Sequence, residues 1–187
     1  PSDEDELQDM IQTSINLNSP AFIRYPRGNA VGVKLKKNPT CLEIGKAKEI
    51  CFGNCVSIWA IGDFVLTAKK IADYFKSTHN FSISVVNARF AKPLDKTLLL
   101  EHAKNHEYIL TLEDGVLDGG FGAAVIECLN NNGIKKIVKR FGWPDKFIDH
   151  GSSVNSLRKL HGLDTETIIK SIEKLIQHNL KAESILV

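Results

Sequence analysis

From Cys41 onward, short β-branched runs alternate with amphipathic helical stripes, and this alternation constrains the fold more than any other feature of the chain. Val56–Ile61, Phe81–Val86, Tyr108–Leu112 and Lys136–Arg140 have the length and residue types of strands. Between them, Val65, Ala68, Ile71, Ala72 and Phe75 recur at helical spacing after Gly62-Asp63. Asp95 is placed to cap a second helix that turns Leu98, Leu99 and Ala103 inward, and Gly119–Gly122 opens a third that runs to Asn131. Strand and helix taking turns in this way predict an α/β fold in three layers, with a mostly parallel sheet covered on both faces. Ile44–Ile50 and Val56–Ile61 flank a Phe-Gly-Asn turn, which predicts a hairpin supplying one antiparallel strand. Past the turn at Gly142–Asp145, helices are expected at Val154–Leu160 and Thr165–Asn179, the second with Ile168, Ile169, Ile172, Leu175 and Ile176 on one face.

The stretch before Cys41 has a different character. Ser2 or Asp3 can cap a helix with an acidic first turn, followed by Leu7, Met10, Ile11 and Ile15 as its apolar stripe. Asn18-Ser19-Pro20 ends that helix, and a short strand is expected at Ala21–Arg24. Gly28–Thr40 is rich in lysine and poor in large apolar residues, so it is a linker. A domain boundary is placed within it, and a new unit starts near Cys41.

Composition excludes several classes. A net charge of +2 with no dense basic stripe argues against nucleic acid as a partner. No apolar run reaches the roughly 18–20 residues needed to cross a bilayer. Chemistry-bearing constellations are sparse. Cys51 and Cys55 flank the Gly-Asn turn, where a cross-strand disulfide and free thiols are both open, but no second Cys/His pair completes a zinc site. His79, His102, His106, His150, His161 and His178 are scattered; His102 and His106 lie four apart on a helix without a His-Glu-x-x-His pattern, and His106 suits a helix end. No Gly-x-Ser-x-Gly elbow marks a hydrolase nucleophile.

The glycines of Gly119–Gly122 sit where a dinucleotide fingerprint would, yet Val125 stands at the position of its third glycine. Tight packing of a helix on the sheet is the expected role. Glu113 and Asp114, adjacent at a strand's end, point to opposite faces and are expected to be capping or loop-fixing groups rather than an acid/base pair.

One stretch points to a ligand. In AFIRYPRGN, Ala21–Asn29, proline and glycine stiffen the backbone on both sides of Arg27. A guanidinium presented in this way suits a phosphate or carboxylate gripped by paired hydrogen bonds. Arg24 is expected to support the turn or meet an internal acid, and Tyr25 to pack. Gly28 is expected to let the backbone turn away beside the anion.

Taken in order, PSDEDELQDM, FIRYPRGNAVG, EIGKAKEI, VVNARFAKPLDKTLL, LEDGVLDGGFGAAV and GWPDKFIDHGS followed by HGLD resemble the 1-deoxy-D-xylulose-5-phosphate synthase family, a transketolase-like group. YPRGNAVG and the GWPD-to-HGLD block point to the synthases, and ARFAKPLD to the wider transketolase and pyruvate dehydrogenase β group. Asn87 stands where that group commonly has aspartate.

The resemblance implies a transketolase C-terminal-like domain at 39–187, preceded by the closing part of the pyrimidine-binding domain at 1–38. It implies a homodimeric enzyme using thiamine diphosphate and Mg²⁺ to join pyruvate with glyceraldehyde 3-phosphate, releasing CO₂. The Gly-Asp-Gly-type metal motif and the ionising glutamate of that family are not found in this chain, so it is expected to hold no catalytic, cofactor or metal residue and to be inactive alone. Arg27 matches the family's substrate-phosphate arginine. The alternatives are another transketolase-like C-terminal domain, a pyruvate dehydrogenase β-type subunit, or a stand-alone binding module. The location expected is bacterial cytoplasm or a plastid-type organelle.

Overall fold

A computed structural model describes residues 1–150 and 153–177. Its centre is a five-stranded sheet in the order β1-β3-β2-β4-β5. The strands are β1 (Lys48–Cys51), β2 (Val56–Ala60), β3 (Ser84–Asn87), β4 (Tyr108–Val116) and β5 (Ile137–Trp143). The neighbours β3, β2, β4 and β5 run parallel, and β1 lies antiparallel to β3 at the edge.

Both faces of the central strands are buried, so β2 and the first six residues of β4 are buried without alternation, Ser57 and Thr111 included. The two-residue period still sorts their side chains. Ile58, Val85 and Leu110 face one layer, where Phe64, Ile71 and Phe75 of α2 (Phe64–His79) meet Ile168 and Ile172 of α6 (Thr165–Leu175). Trp59, Val86 and Ile109 face the other, against Leu99 of α3 (Lys96–Asn105) and Val125 and Leu129 of α4 (Phe121–Asn131). Asp95 caps α3 by accepting from the Leu98 N–H at 3.1 Å. The part of the last helix expected beyond Gln177, with His178, lies outside the described residues.

The expected hairpin is not formed. β1 pairs with β3 and not with β2, because the β2–α2–β3 crossover places β3 beside β2 and fills that position. The chain between Cys51 and Cys55 instead crosses over the start of β3. A methyl group at Gly53 would lie 2.2 Å from the Ser82 carbonyl oxygen, so glycine is required by the close approach. Ser84 seals the crossing, its Oγ accepting from the Gly53 N–H at 2.8 Å and donating to the Gly53 oxygen at 3.0 Å. No disulfide joins the cysteines.

In the N-terminal stretch, α1 (Glu4–Ile15) is capped by Asp3, which accepts from the Glu6 N–H at 2.8 Å. Of the expected apolar stripe, Met10 is buried and Leu7 half-buried, but most of the buried face is polar. Glu6, Asp9, Met10 and Thr13 turn inward, while Ile11 and Ile15 remain exposed. The polar face is occupied by the linker that follows. Glu4 accepts from the N–H groups of Val31, Gly32 and Val33, Asp5 from Lys36, Asp9 from Thr40, and Thr13 from Leu42. Side chains at i, i+4 and i+8 on α1 therefore act as a ladder for extended backbone. Residues 21–24 have no strand partner and form no strand; Phe22 is fully exposed. No helix among the described residues is long and apolar enough to cross a membrane.

Candidate functional site

Open parallel sheets offer ligands the crevice beyond the carboxyl ends of their strands. Here that end is built from Asp63 after β2, Glu113 and Asp114 in β4, Trp143 closing β5, and Arg158 from α5 (Val154–Leu160).

Glu113 is buried, and its carboxylate accepts from the N–H groups of Phe121 at 2.7 Å and Gly122 at 2.8 Å. It satisfies donors that the first turn of α4 would otherwise leave open. These are the same donors that a pyrophosphate would need, so the glycine-rich turn has no free cradle. Its glycines serve packing, as expected. A methyl group at Gly120 would lie 2.0 Å from the Val116 oxygen, and one at Gly122 would lie 2.5 Å from Thr111 Oγ1.

Asp114 points the other way and gathers four elements. Its Oδ1 accepts from Trp143 Nε1 at 2.9 Å and from Arg158 Nη2 at 3.2 Å. Arg158 also donates to Asp63 Oδ2 at 2.7 Å and lies 4.3 Å over the Phe64 ring. Burial works to lower the Arg158 pKa, but Asp63 and Asp114 outweigh it and raise it, so the guanidinium is a fixed charge. Arg24 joins from outside, donating from Nη2 to the Asp114 carbonyl oxygen at 2.6 Å and lying 3.8 Å from its Oδ2. Arg24 therefore meets an acid, at the surface and not in the interior, its side chain being 76% exposed.

Arg27 lies three residues further on and is exposed; among the described residues no hydrogen bond or ion pair engages it. Tyr25, expected to pack, is 61% exposed instead. Gly28 is not held in a left-handed conformation, and nothing lies within 4 Å of where its Cβ would be, so the turn does not require glycine there. The reason is local: the segment has no neighbouring layer against which a ring or a tight backbone could press.

Two groupings escaped the sequence reading. The first is the Asp63–Arg158–Asp114 set, whose signal was an acid near the carboxyl end of each of two strands that prove to be adjacent. The second is a relay in which Ser57 Oγ lies 2.8 Å from His102 Nδ1 and Glu49 Oε1 lies 3.0 Å from His102 Nε2. It has the outline of a hydrolase triad, but Ser57 is wholly buried within β2 and no carbonyl can reach it. The His106 ring stacks on His102 at 4.7 Å, and its Nδ1 meets the His102 carbonyl oxygen at the end of α3. Burial, then the His106 ring, lowers the His102 pKa against the opposing pull of Glu49. Among the described residues, no three His, Cys, Asp or Glu side chains are grouped to hold a metal ion.

The three-layer fold with a single antiparallel edge strand and a glycine-rich turn opening α4 is that of a transketolase C-terminal-like domain. The chain belongs to the family of the transketolase C-terminal domain, which matches residues 45–173. In sequence it is similar to the C-terminal portion of 1-deoxy-D-xylulose-5-phosphate synthases. It is 39% identical over 178 residues to that of Methylacidiphilum infernorum, covering 95% of this chain and 28% of the relative. With the enzyme of Heliobacterium modesticaldum it shares 40% over 185 residues, covering 99% of this chain and again 28% of the relative. The chain thus spans under a third of the length of these relatives. A solved split-gene transketolase, described as an inactive beta4 tetramer, superposes with a TM-score of 0.77 at 24% identity. That superposition covers 93% of this chain and 55% of the other, and it bears on the fold alone.

Proposed function

We propose that this chain is the C-terminal portion of a thiamine-diphosphate-dependent synthase that joins pyruvate to glyceraldehyde 3-phosphate, giving 1-deoxy-D-xylulose 5-phosphate and CO₂. One observation carries the reading. Identity with the synthases near 40% extends over 99% of the chain, and so includes the stretch that precedes the family domain at residue 45. A generic transketolase C-terminal domain would account for the later residues and not for that stretch.

Arg27 is the substrate-phosphate residue in this reading. An exposed guanidinium without a protein partner is free to pair with a phosphate. Binding energy from a remote phosphate orients the aldehyde for attack and helps exclude water from the reacting carbon. The residues present here do not fit a diphosphate–metal site, because the α4 donors are taken by Glu113 and no ligand cluster occurs among the described residues. Thiamine diphosphate and Mg²⁺ therefore belong to the preceding domains of the enzyme. The boundary between domains lies near residue 38, and the unit after it serves as scaffold and dimer contact. Alone, the chain has no turnover.

The test is the complete enzyme assayed for pyruvate-dependent consumption of glyceraldehyde 3-phosphate. Arg27→Ala should raise the KM for the aldehyde phosphate about tenfold or more, as expected for losing a charge-assisted phosphate contact, with the KM for pyruvate little changed. Absence of product from the parent enzyme, or equal loss for both substrates, overturns the reading.

A further inference from the structure

We infer that Arg24 is a positioning residue for the acceptor phosphate, coupling the turn that carries Arg27 to the carboxyl end of the sheet through Asp114. The inference rests on the reading of Arg27 given above. Two arginines three residues apart have opposite surroundings. Arg27 has no partner among the described residues, whereas Arg24 is spent on the protein itself, donating to the Asp114 oxygen at 2.6 Å. Among the described residues, this is the side-chain hydrogen bond made by the 21–29 stretch. Neither a strand partner nor a buried ring holds the stretch, since Phe22 and Tyr25 are exposed. Between α1 before it and residues 31–33, which Glu4 holds after it, the Arg24 contact is the tether of the turn to the sheet.

The other end of the tether is firm. Trp143 and Arg158 fix the Asp114 carboxylate, and Asp63 fixes Arg158, whose side chain is 15% exposed. Pro26 lies between the two arginines and restricts the rotation that could uncouple them. Three residues of chain span at most about 10 Å, so the backbone of Arg27 stays within about that distance of the anchored Arg24. Through this contact the C-terminal unit takes part in recognising the acceptor as well as supporting the fold.

In the complete enzyme, Arg24→Ala should raise the KM for glyceraldehyde 3-phosphate about three- to fivefold, the scale of one solvent-exposed charged contact. The KM for pyruvate, kcat, and turnover with unphosphorylated D-glyceraldehyde should stay within about twofold of the parent enzyme. Arg24→Lys, which can still donate to the Asp114 oxygen, should recover most of the loss. In an Arg27→Ala background, Arg24→Ala should add nothing, because a positioned group that is gone has no position to lose. Equal effects on both acceptors, no effect of Arg24→Ala, or full additivity with Arg27→Ala overturns the inference. If Arg24→Ala fails to fold, Arg24→Gln is read by the same ratios. Should Arg27→Ala itself leave the phosphate KM unchanged, the reading of Arg27 fails first; a large Arg27 effect with a silent Arg24 sinks this inference alone.

Discussion

The Glu6 carboxylate accepts from Arg89 Nε at 2.9 Å, joining α1 to the end of β3 across 83 positions of sequence. Asn87 Nδ2 donates to both oxygens of the same carboxylate, at 2.8 and 2.9 Å, and the Ser2 N–H closes the ring at 2.8 Å. Arg89 adopts a left-handed backbone, φ 57°, steadied by its N–H bond to Asn87 Oδ1 at 3.0 Å. Asn87 thus has a defined task as a neutral donor. An aspartate there would set a second carboxylate against Glu6.

Glu6→Ala leaves Arg89 and Asn87 largely buried without their acceptor. The expected loss is about 3 kcal/mol of unfolding free energy, the cost of breaking a mostly buried ion pair. Urea titration measures it, and a loss below ~1 kcal/mol would show that water replaces the carboxylate. Burial works to raise the Glu6 pKa, but Asn87, the Ser2 N–H and Arg89 prevail and lower it. A lowered carboxyl pKa contributes stability that is complete above the unfolded value of about 4.3 and is lost as pH falls through the folded one. Acid titration of the Glu6→Ala protein should show a shallower decline than the parent below that pH.

His102 gives a second pH signature in a different window. Its pKa is lowered, chiefly by burial and then by His106, so the folded protein holds it neutral where an unfolded chain binds a proton. Stability from this source is complete above about 6.5 and falls as pH drops from there toward the folded value. His102→Asn should destabilise at pH 7.5 by about 1–3 kcal/mol through lost buried hydrogen bonds. It should also flatten the slope of stability as pH falls below about 6.5. An unchanged slope would assign the titration to another group.

The layers, the strand types and the caps at Asp3 and Asp95 could be read from the chain because period and capping are local properties. Pairing is not local. Cys51–Cys55 has the chemistry of a hairpin turn, yet a crossover elsewhere decides that β3 lies beside β2. The same holds for α1, where Leu7, Met10, Ile11 and Ile15 form a stripe but the linker's backbone needs acceptors, and Glu4, Asp5 and Asp9 supply them. Pro26 and Gly28 lead the sequence reading to expect an anion grip at Arg27, and the structure leaves that side chain exposed. The Asp114 hub was not, since Arg24, Trp143, Arg158 and Asp63 converge only when the sheet closes.

Gly28 and Gly120 should respond oppositely to alanine. At Gly120 the new methyl would meet the Val116 oxygen at 2.0 Å and Glu113 Oε2 at 2.4 Å, both fixed. Gly120→Ala should cost about 3 kcal/mol, through overpacking that shifts α4 from its cap. Gly28→Ala meets nothing within 4 Å and should stay within about 0.5 kcal/mol of the parent. Thermal melts of the two proteins side by side decide it, and a costly Gly28→Ala would mean that the turn is packed in a way this structure does not show.

Glu113→Gln tests whether the start of α4 is closed by charge or by shape. The amide has the same outline, but it offers one acceptor oxygen to two N–H donors, and its NH₂ would face the Phe121 or Gly122 N–H. With the side chain nearly fully buried, water cannot make up the missing acceptor. The substitution should destabilise by about 1–3 kcal/mol. Amide hydrogen exchange should quicken at Phe121, Gly122 and Ala123 while the middle of β4 stays protected, because the defect is confined to the helix's first turn. Exchange quickening equally along β4 would instead make Glu113 a support of the strand, and the cap a by-product.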